Sequence, residues 1–259
     1  MPDLTNKLTN KTETCEVDRD EAQTQLLESL NYLQCSAEFR SINEERYATI
    51  TGSPAASIAV AYAKLKSETG NNFHCNIPLI EIPVLNKKLN QHHPTIIIGG
   101  VITGDKKSIT RSSFAFWVTF QTEGLITPGD SCCRVSQKTG KRIVRKFHFD
   151  LQPGNQKIPP SHLQYGGNPP NSIPNGMNSH YCLEPFLENP RIQYFPMDYL
   201  LVLDLALREF DTPLNDMVEE RSWNNLVSKS QKVWWVNYVS LVNAVMAKDK
   251  CCLHEIAYQ

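Results

Sequence analysis

The segment RIVRKFHFDLQ, residues 142–152, changes polarity at almost every step: Ile143, Phe147, Phe149 and Leu151 share one parity, and Lys146, His148 and Asp150 share the other. Successive side chains of an extended strand point to opposite faces, so this alternation predicts a strand with one oily and one polar side. The segment SHLQYGG that follows repeats the pattern, with Leu163 and Tyr165 matching the apolar parity and His162 and Gln164 the polar one. An intervening loop of about ten residues can return the chain antiparallel, which makes Asp150 and His162 cross-strand neighbours. The two strands together predict a cluster of His148, Asp150, His162 and Gln164 on one surface.

An apolar sheet face needs a layer to pack on it, and the rest of the chain supplies helices. From Asp18 onward, Ala22, Leu26, Leu27, Leu30, Leu33 and Ala37 recur at three- and four-residue spacing, predicting a helix of roughly 20 residues. In SPAASIAVAYAKLKSE, Ser53 is placed to cap a second helix and Pro54 to occupy its first turn. NIPLIEIPVL, PTIIIGGVIT and SITRSSFAFWVTFQ then read as strands, and the internal prolines of the first suggest an edge or irregular position. CCRVSQ, the turn KTGK and RIVRKFHFDLQ form a hairpin by their turn chemistry.

Toward the C-terminus, Pro196 at a first turn precedes the apolar helix MDYLLVLDLALREF, and Thr212-Pro213 starts another. SQKVWWVNYVSLVNAVMAKD gives a third, with Trp234, Tyr238, Leu241 and Val245 on one stripe. The expected architecture is α+β, an antiparallel sheet with N- and C-terminal helices packed mainly on one face. Residues 1–16, without periodic apolar positions, form an arm. Residues 17–259 form a single domain, helical over 17–68, sheet over 73–167, loop over 168–195 and helical over 196–250.

Charge and composition exclude more than they identify. Lys and Arg number 26 against 27 Asp and Glu, so no global field draws the chain to nucleic acid or an anionic membrane. The first residues lack the basic-then-apolar order of a signal peptide, and no run reaches the ~18 apolar residues of a membrane span. A soluble, cytoplasmic protein with no membrane contact is expected, and its eight cysteines are then reduced thiols. IIIGGVITGDKKS matches neither a phosphate loop nor a dinucleotide pattern, and no H-E-x-x-H, G-x-S-x-G or paired C-x-x-C occurs. His180 and Cys182 with Cys251, Cys252 and His254 have no diagnostic metal spacing. No pattern identifies a cofactor.

Three kinds of chemistry suit the His148, Asp150, His162 and Gln164 cluster. Two imidazoles and a carboxylate can act as general base, general acid and orienting group in phosphodiester cleavage without a metal. The same three groups can hold a divalent ion, with water or substrate completing its shell. They can also simply satisfy one another beneath a long loop. The hairpin carrying them is locally basic: Arg134, Lys141, Arg142, Arg145 and Lys146 could meet a phosphate backbone, or could be a solvated tip that discourages edge pairing.

The succession FHFD, SHLQYGG and PRIQYFPMDYLLVLDLALREF resembles the core of prokaryotic families of unknown function found among antiviral-defence and mobile-element genes. The matching positions are Phe147, His148, Asp150, Ser161, His162, Leu163 and Arg191, within residues 142–210. The resemblance carries no established catalytic residue. With no familiar catalytic signature, it implies an interaction or effector subunit of a prokaryotic defence-type or toxin-like system, its C-terminal aromatic helix or a sheet edge meeting a protein partner. The alternatives are a metal-independent ribonuclease built on the His/His/Asp cluster, with Lys146 or Arg145 on the phosphate, and a metal-dependent hydrolase on the same residues.

Overall fold

Asp18 ends one element and starts the next. It closes the two-residue strand β1 (Val17–Asp18), and its side chain accepts a hydrogen bond from the Glu21 amide at 2.9 Å, capping helix α1 (Arg19–Cys35). The computed structural model describes residues 17–42, 54–85, 93–121, 141–151, 161–165, 181–182 and 191–247. The expected arm at 1–16, the first arm of the hairpin at 132–137 and the loop positions 168–180 and 183–190 lie outside these residues, as does Ser53.

Helix α1 buries Ala22, Leu26, Leu30 and Leu33, the expected stripe, but it stops at Cys35. Ser36 takes an extended conformation and its hydroxyl accepts from the Phe39 amide, starting a new short helix α2 (Ala37–Arg40). Ala37 therefore leaves the stripe and is exposed, while Phe39 enters the core in its place. Pro54 begins helix α3 (Pro54–Ser67), as its fixed φ and missing amide hydrogen favour.

The strands are β2 (Phe73–Pro83), β3 (Thr95–Gly104), β4 (Ser108–Gln121), β5 (Lys141–Leu151), β6 (Ser161–Tyr165), β7 (Tyr181–Cys182) and β8 (Arg191–Gln193). Their order is β2-β3-β4-β5-β6-β8, each neighbour antiparallel, with β1 added to β4 and β7 to β5. The two-residue β5–β7 ladder is parallel. Strand β2 lies at the end of this order, and its pairing with β3 shifts register between Ile77 and Ile80, around Pro78. A proline has no amide hydrogen to donate to a ladder, so the irregular edge follows from the sequence.

Three further helices follow among the described residues. Helix α4 (Tyr199–Glu209) is capped by Asp198, so Pro196 precedes the cap and does not sit in the first turn. The helix expected at Thr212-Pro213 is only α5 (Asn215–Glu219), because Asn215 Oδ1 accepts from the Thr212 amide and hydroxyl and ties those residues into a turn. Helix α6 (Arg221–Ala247) starts earlier than Ser230, since Trp223 and Val227 extend the buried stripe of Ser230, Trp234 and Tyr238 toward the N-terminus. The side chains of Leu241 and Val245 lie outside the description.

One hydrophobic cluster joins helix residues Leu26, Leu30, Ile58, Leu203, Leu207 and Trp234 to Ile80, Ile82, Ile96, Ile98, Phe114, Phe116, Phe149 and Leu151 of the strands. These strand residues share one side of the sheet, and the helices pack there. The buried residues Ile97, Ala115 and Trp117 of the opposite parity stand outside this cluster. The fold is thus α+β, with helices on one face of an antiparallel sheet.

Candidate active site

The register of the central strands determines what meets on the second face. Strands β4, β5 and β6 set Ser113 opposite Asp150 and Asp150 opposite His162 in one cross-strand row. The next row is Ala115, His148 and Gln164, and the one beyond it joins Trp117 to Lys146. Paired positions on adjacent strands bring Cβ atoms within about 5 Å, so three strands suffice to assemble the group.

The side chains do converge. Ser113 Oγ lies 2.7 Å from His148 Nε2, and the same nitrogen lies 3.3 Å from Asp150 Oδ1. His162 Nε2 approaches the other carboxylate oxygen, Oδ2, at 3.6 Å. Asp150 thus stands between two imidazoles. The Lys146 ammonium sits 5.6 Å from the centre of the Trp117 ring, a cation–π distance.

The sequence left the exposure of this cluster open, and in the structure it is buried: His148 is 6 % and His162 2 % exposed, and Lys146, Asp150 and Gln164 are buried with them. The parity was right, but the polar side of these strands is not turned to solvent. Burial changes the chemistry. It pushes the His148 pKa down to about 4, against the pull of the Asp150 charge, with Lys146, His162 and Arg111 adding to the depression. Burial likewise brings Lys146 down to about 7, and Asp150 opposes it. At neutral pH His148 is therefore an uncharged ring.

Its tautomer follows from its neighbours. The nearby Asp150 charge favours a proton on Nε2, where Ser113 Oγ can accept it, which leaves the lone pair on Nδ1. That Nδ1 is buried and has no hydrogen-bond partner among the described residues. A neutral imidazole with a bare, desolvated nitrogen is a base without a customer in the resting protein. Among the described residues, no group of three or more His, Cys, Asp or Glu side chains is arranged to hold a metal ion. Both His148 and His162 turn Nε2 to the carboxylate, so the three side chains face one another inside the protein.

The expected basic patch divides. Arg145 is exposed, whereas Lys146, one residue on, is buried on the opposite face. Adjacent residues of a strand cannot serve one surface, so Arg145 is removed from the cluster that contains His148. Lys141 and Arg142 belong to β5 by backbone, Arg134 lies outside the described residues, and Gln164 stands opposite His148 as expected. Cys182 is placed in β7 by backbone, while His180 and residues 251–254 lie outside the description.

Sequence reasoning missed Ser113 and Arg111. The signal was present, since odd positions of TRSSFAFWV carry Arg111, Ser113, Ala115 and Trp117, but nothing local said that this parity would face His148. Only the β4–β5 register does. The positions that carry the family resemblance fall on three neighbouring strands: Phe147, His148 and Asp150 on β5, Ser161, His162 and Leu163 on β6, and Arg191 on β8. Fold and site together define an α+β protein with a buried His/Asp/His group on the sheet face opposite the described helices. Comparison with protein-family models, with curated proteins and with solved structures finds no match for this chain.

Proposed function

We propose that the protein is a metal-independent ribonuclease, and that it acts in the cytoplasm as an effector of a prokaryotic defence-type or toxin-like system. The observation that carries this reading is Asp150 held between His148 and His162, with Nδ1 of a neutral His148 left bare. Clusters of desolvated titratable groups with perturbed acidity concentrate at functional sites.

In this mechanism His148 Nδ1 takes the proton of a ribose 2′-hydroxyl, and the oxygen attacks the adjacent phosphorus. The O5′ bond breaks, and the protonated His162 gives its proton to that leaving oxygen. The products are a 2′,3′-cyclic phosphate and a free 5′-hydroxyl, so neither water nor a metal enters the step. Asp150 orients both rings and stabilises charge on the imidazole that gains a proton. Lys146, brought to about 7 by burial in the same group, supplies positive charge below that value. Because both rings are nearly inaccessible, this face must open to admit the RNA.

The experiment incubates RNA in EDTA with wild type, His148→Ala, His162→Ala and Asp150→Asn. Wild type is expected to cleave to cyclic-phosphate ends, the two histidine variants to lose at least a hundredfold in rate, and a 2′-deoxy strand to remain intact. Circular dichroism and thermal unfolding of each variant separate lost chemistry from lost folding. Uncut RNA with folded wild type would end this reading.

A second reading has its own support. Val236 is 56 %, Val239 41 % and Phe195 43 % exposed, and Phe195 packs on Trp235 with ring centres 5.0 Å apart. These exposed apolar residues of α6, with Phe195 of the preceding segment packed on it, suit an interaction subunit, and a purified monomer that retains no product of neighbouring genes in a pull-down would remove it.

A further inference from the structure

We infer that Arg111 is the anion-holding residue of the buried site, gripping the phosphate oxygens of the strand being cleaved. The inference rests on the ribonuclease reading for the identity of the anion, and on four features of the fold for the residue. Arg111 lies on β4, two positions before Ser113, so its side chain leaves the sheet on the same face as His148, Asp150 and His162. The separation of one side-chain row is about 7 Å, within the reach of an extended guanidinium.

Its exposure differs from that of its neighbours. Ser113, His148, Asp150 and His162 are buried, whereas Arg111 is only half-buried, which puts it at the solvent end of the group. A cation there meets an incoming polyanion before the interior residues do. Arg111 Nε is itself shielded from water and has no hydrogen-bond partner among the described residues. A guanidinium with a donor held in reserve suits the bidentate recognition of phosphate. Its field also reaches the reacting group, since Arg111 is among the charges that lower the pKa of His148.

Arg145, expected from the sequence to meet the phosphate, leaves the strand on the other side. Arg111 takes the role because strand parity, and not closeness along the chain, decides which cation shares a face with the imidazoles.

The test measures binding of a fluorescent 2′-deoxy oligonucleotide by anisotropy over a salt series, beside cleavage of the matching RNA in EDTA. Arg111→Gln, Arg111→Lys and Arg145→Gln are compared with wild type, each checked for folding by circular dichroism. Arg111→Gln is expected to weaken binding at least tenfold and to lower the salt slope by about one. Its cleavage loss should lie mainly in KM, Arg111→Lys should recover part of the binding, and Arg145→Gln should behave as wild type. Wild-type binding and cleavage unchanged in Arg111→Gln would overturn the assignment while leaving the ribonuclease intact. Equal losses in Arg111→Gln and Arg145→Gln would indicate diffuse charge and overturn it as well. Binding that depends on Arg111 in a protein that cuts no RNA would retain the anion site and discard the ribonuclease, and a wild type that neither binds nor cuts removes both.

Discussion

His148 and Lys146 are two residues apart on one strand, and burial moves both toward their uncharged forms, to about 4 and about 7. Each makes stability depend on pH with a sign that can be worked out. An unfolded histidine titrates near 6.5, so between that value and about 4 the unfolded chain binds more protons and stability falls as the solution is acidified. For His148 the upper limit is about 3 kcal/mol. Lys146 unfolded titrates near 10.5, so stability rises with pH between about 7 and that value. Asp198, raised by its complete burial, acts in the opposite sense, losing stability as pH climbs through its titration. The urea midpoint of wild type is expected to increase from pH 7 to pH 9, and Lys146→Met, which has no charge to desolvate, should show little of that increase. Parallel curves for the two proteins would mean that Lys146 is solvated. The cluster was legible in the sequence because strand parity is a local property. Its burial was not, because β5 carries charged residues on a side that a single strand would turn to water.

At the scale of elements, α4 depends on one residue outside it. Asp198 caps the helix through the Leu201 amide at 2.8 Å and accepts from the Ser230 hydroxyl of α6 at 2.6 Å, so one carboxylate fixes two helices against each other. Asp198→Ala is expected to cost about 2 kcal/mol, and Asp198→Asn less, because the amide oxygen still accepts from Leu201 N–H while the amide NH2 in the other position can donate to the Ser230 hydroxyl. Chemical denaturation measures the pair, and equal losses would show that charge matters more than the bonds. Strand spacing offers a second case at Gly100, where a methyl group would collide with the Ser113 carbonyl and the Phe114 ring of β4. Gly100→Ala should therefore destabilise the protein and displace Ser113 from His148; a variant with wild-type stability would show that β3 and β4 part easily. Glycine here allows two backbones to approach, and the pair of glycines in TIIIGGVIT did not reveal which strand comes close. The break at Ser36 was equally illegible, since apolar spacing continues to Ala37 while the serine's capping bond ends the helix.

Across the whole molecule, a single apolar cluster unites α1, α3, α4 and α6 with the core face of the sheet, while Trp117 stands on the second face. No helix among the described residues is long and apolar enough to cross a membrane. The single-domain expectation leads to a measurement: variants retaining only Trp117 or only Trp223 should unfold at the same denaturant concentration as the whole-chain circular dichroism. An earlier transition at Trp117 would mean that the second face opens separately, the motion that access to His148 and His162 requires. What the sequence by itself determined is the division into helices and strands and the sorting of each strand's side chains into two sets, because both follow from periodicity within a few neighbouring residues. The tertiary structure alone decided that Ser113 joins His148, that Arg111 shares their face while Arg145 leaves it, and that His148, Asp150 and His162 are buried. Register and burial depend on strands far apart along the chain, and no local pattern encodes which of them will lie side by side.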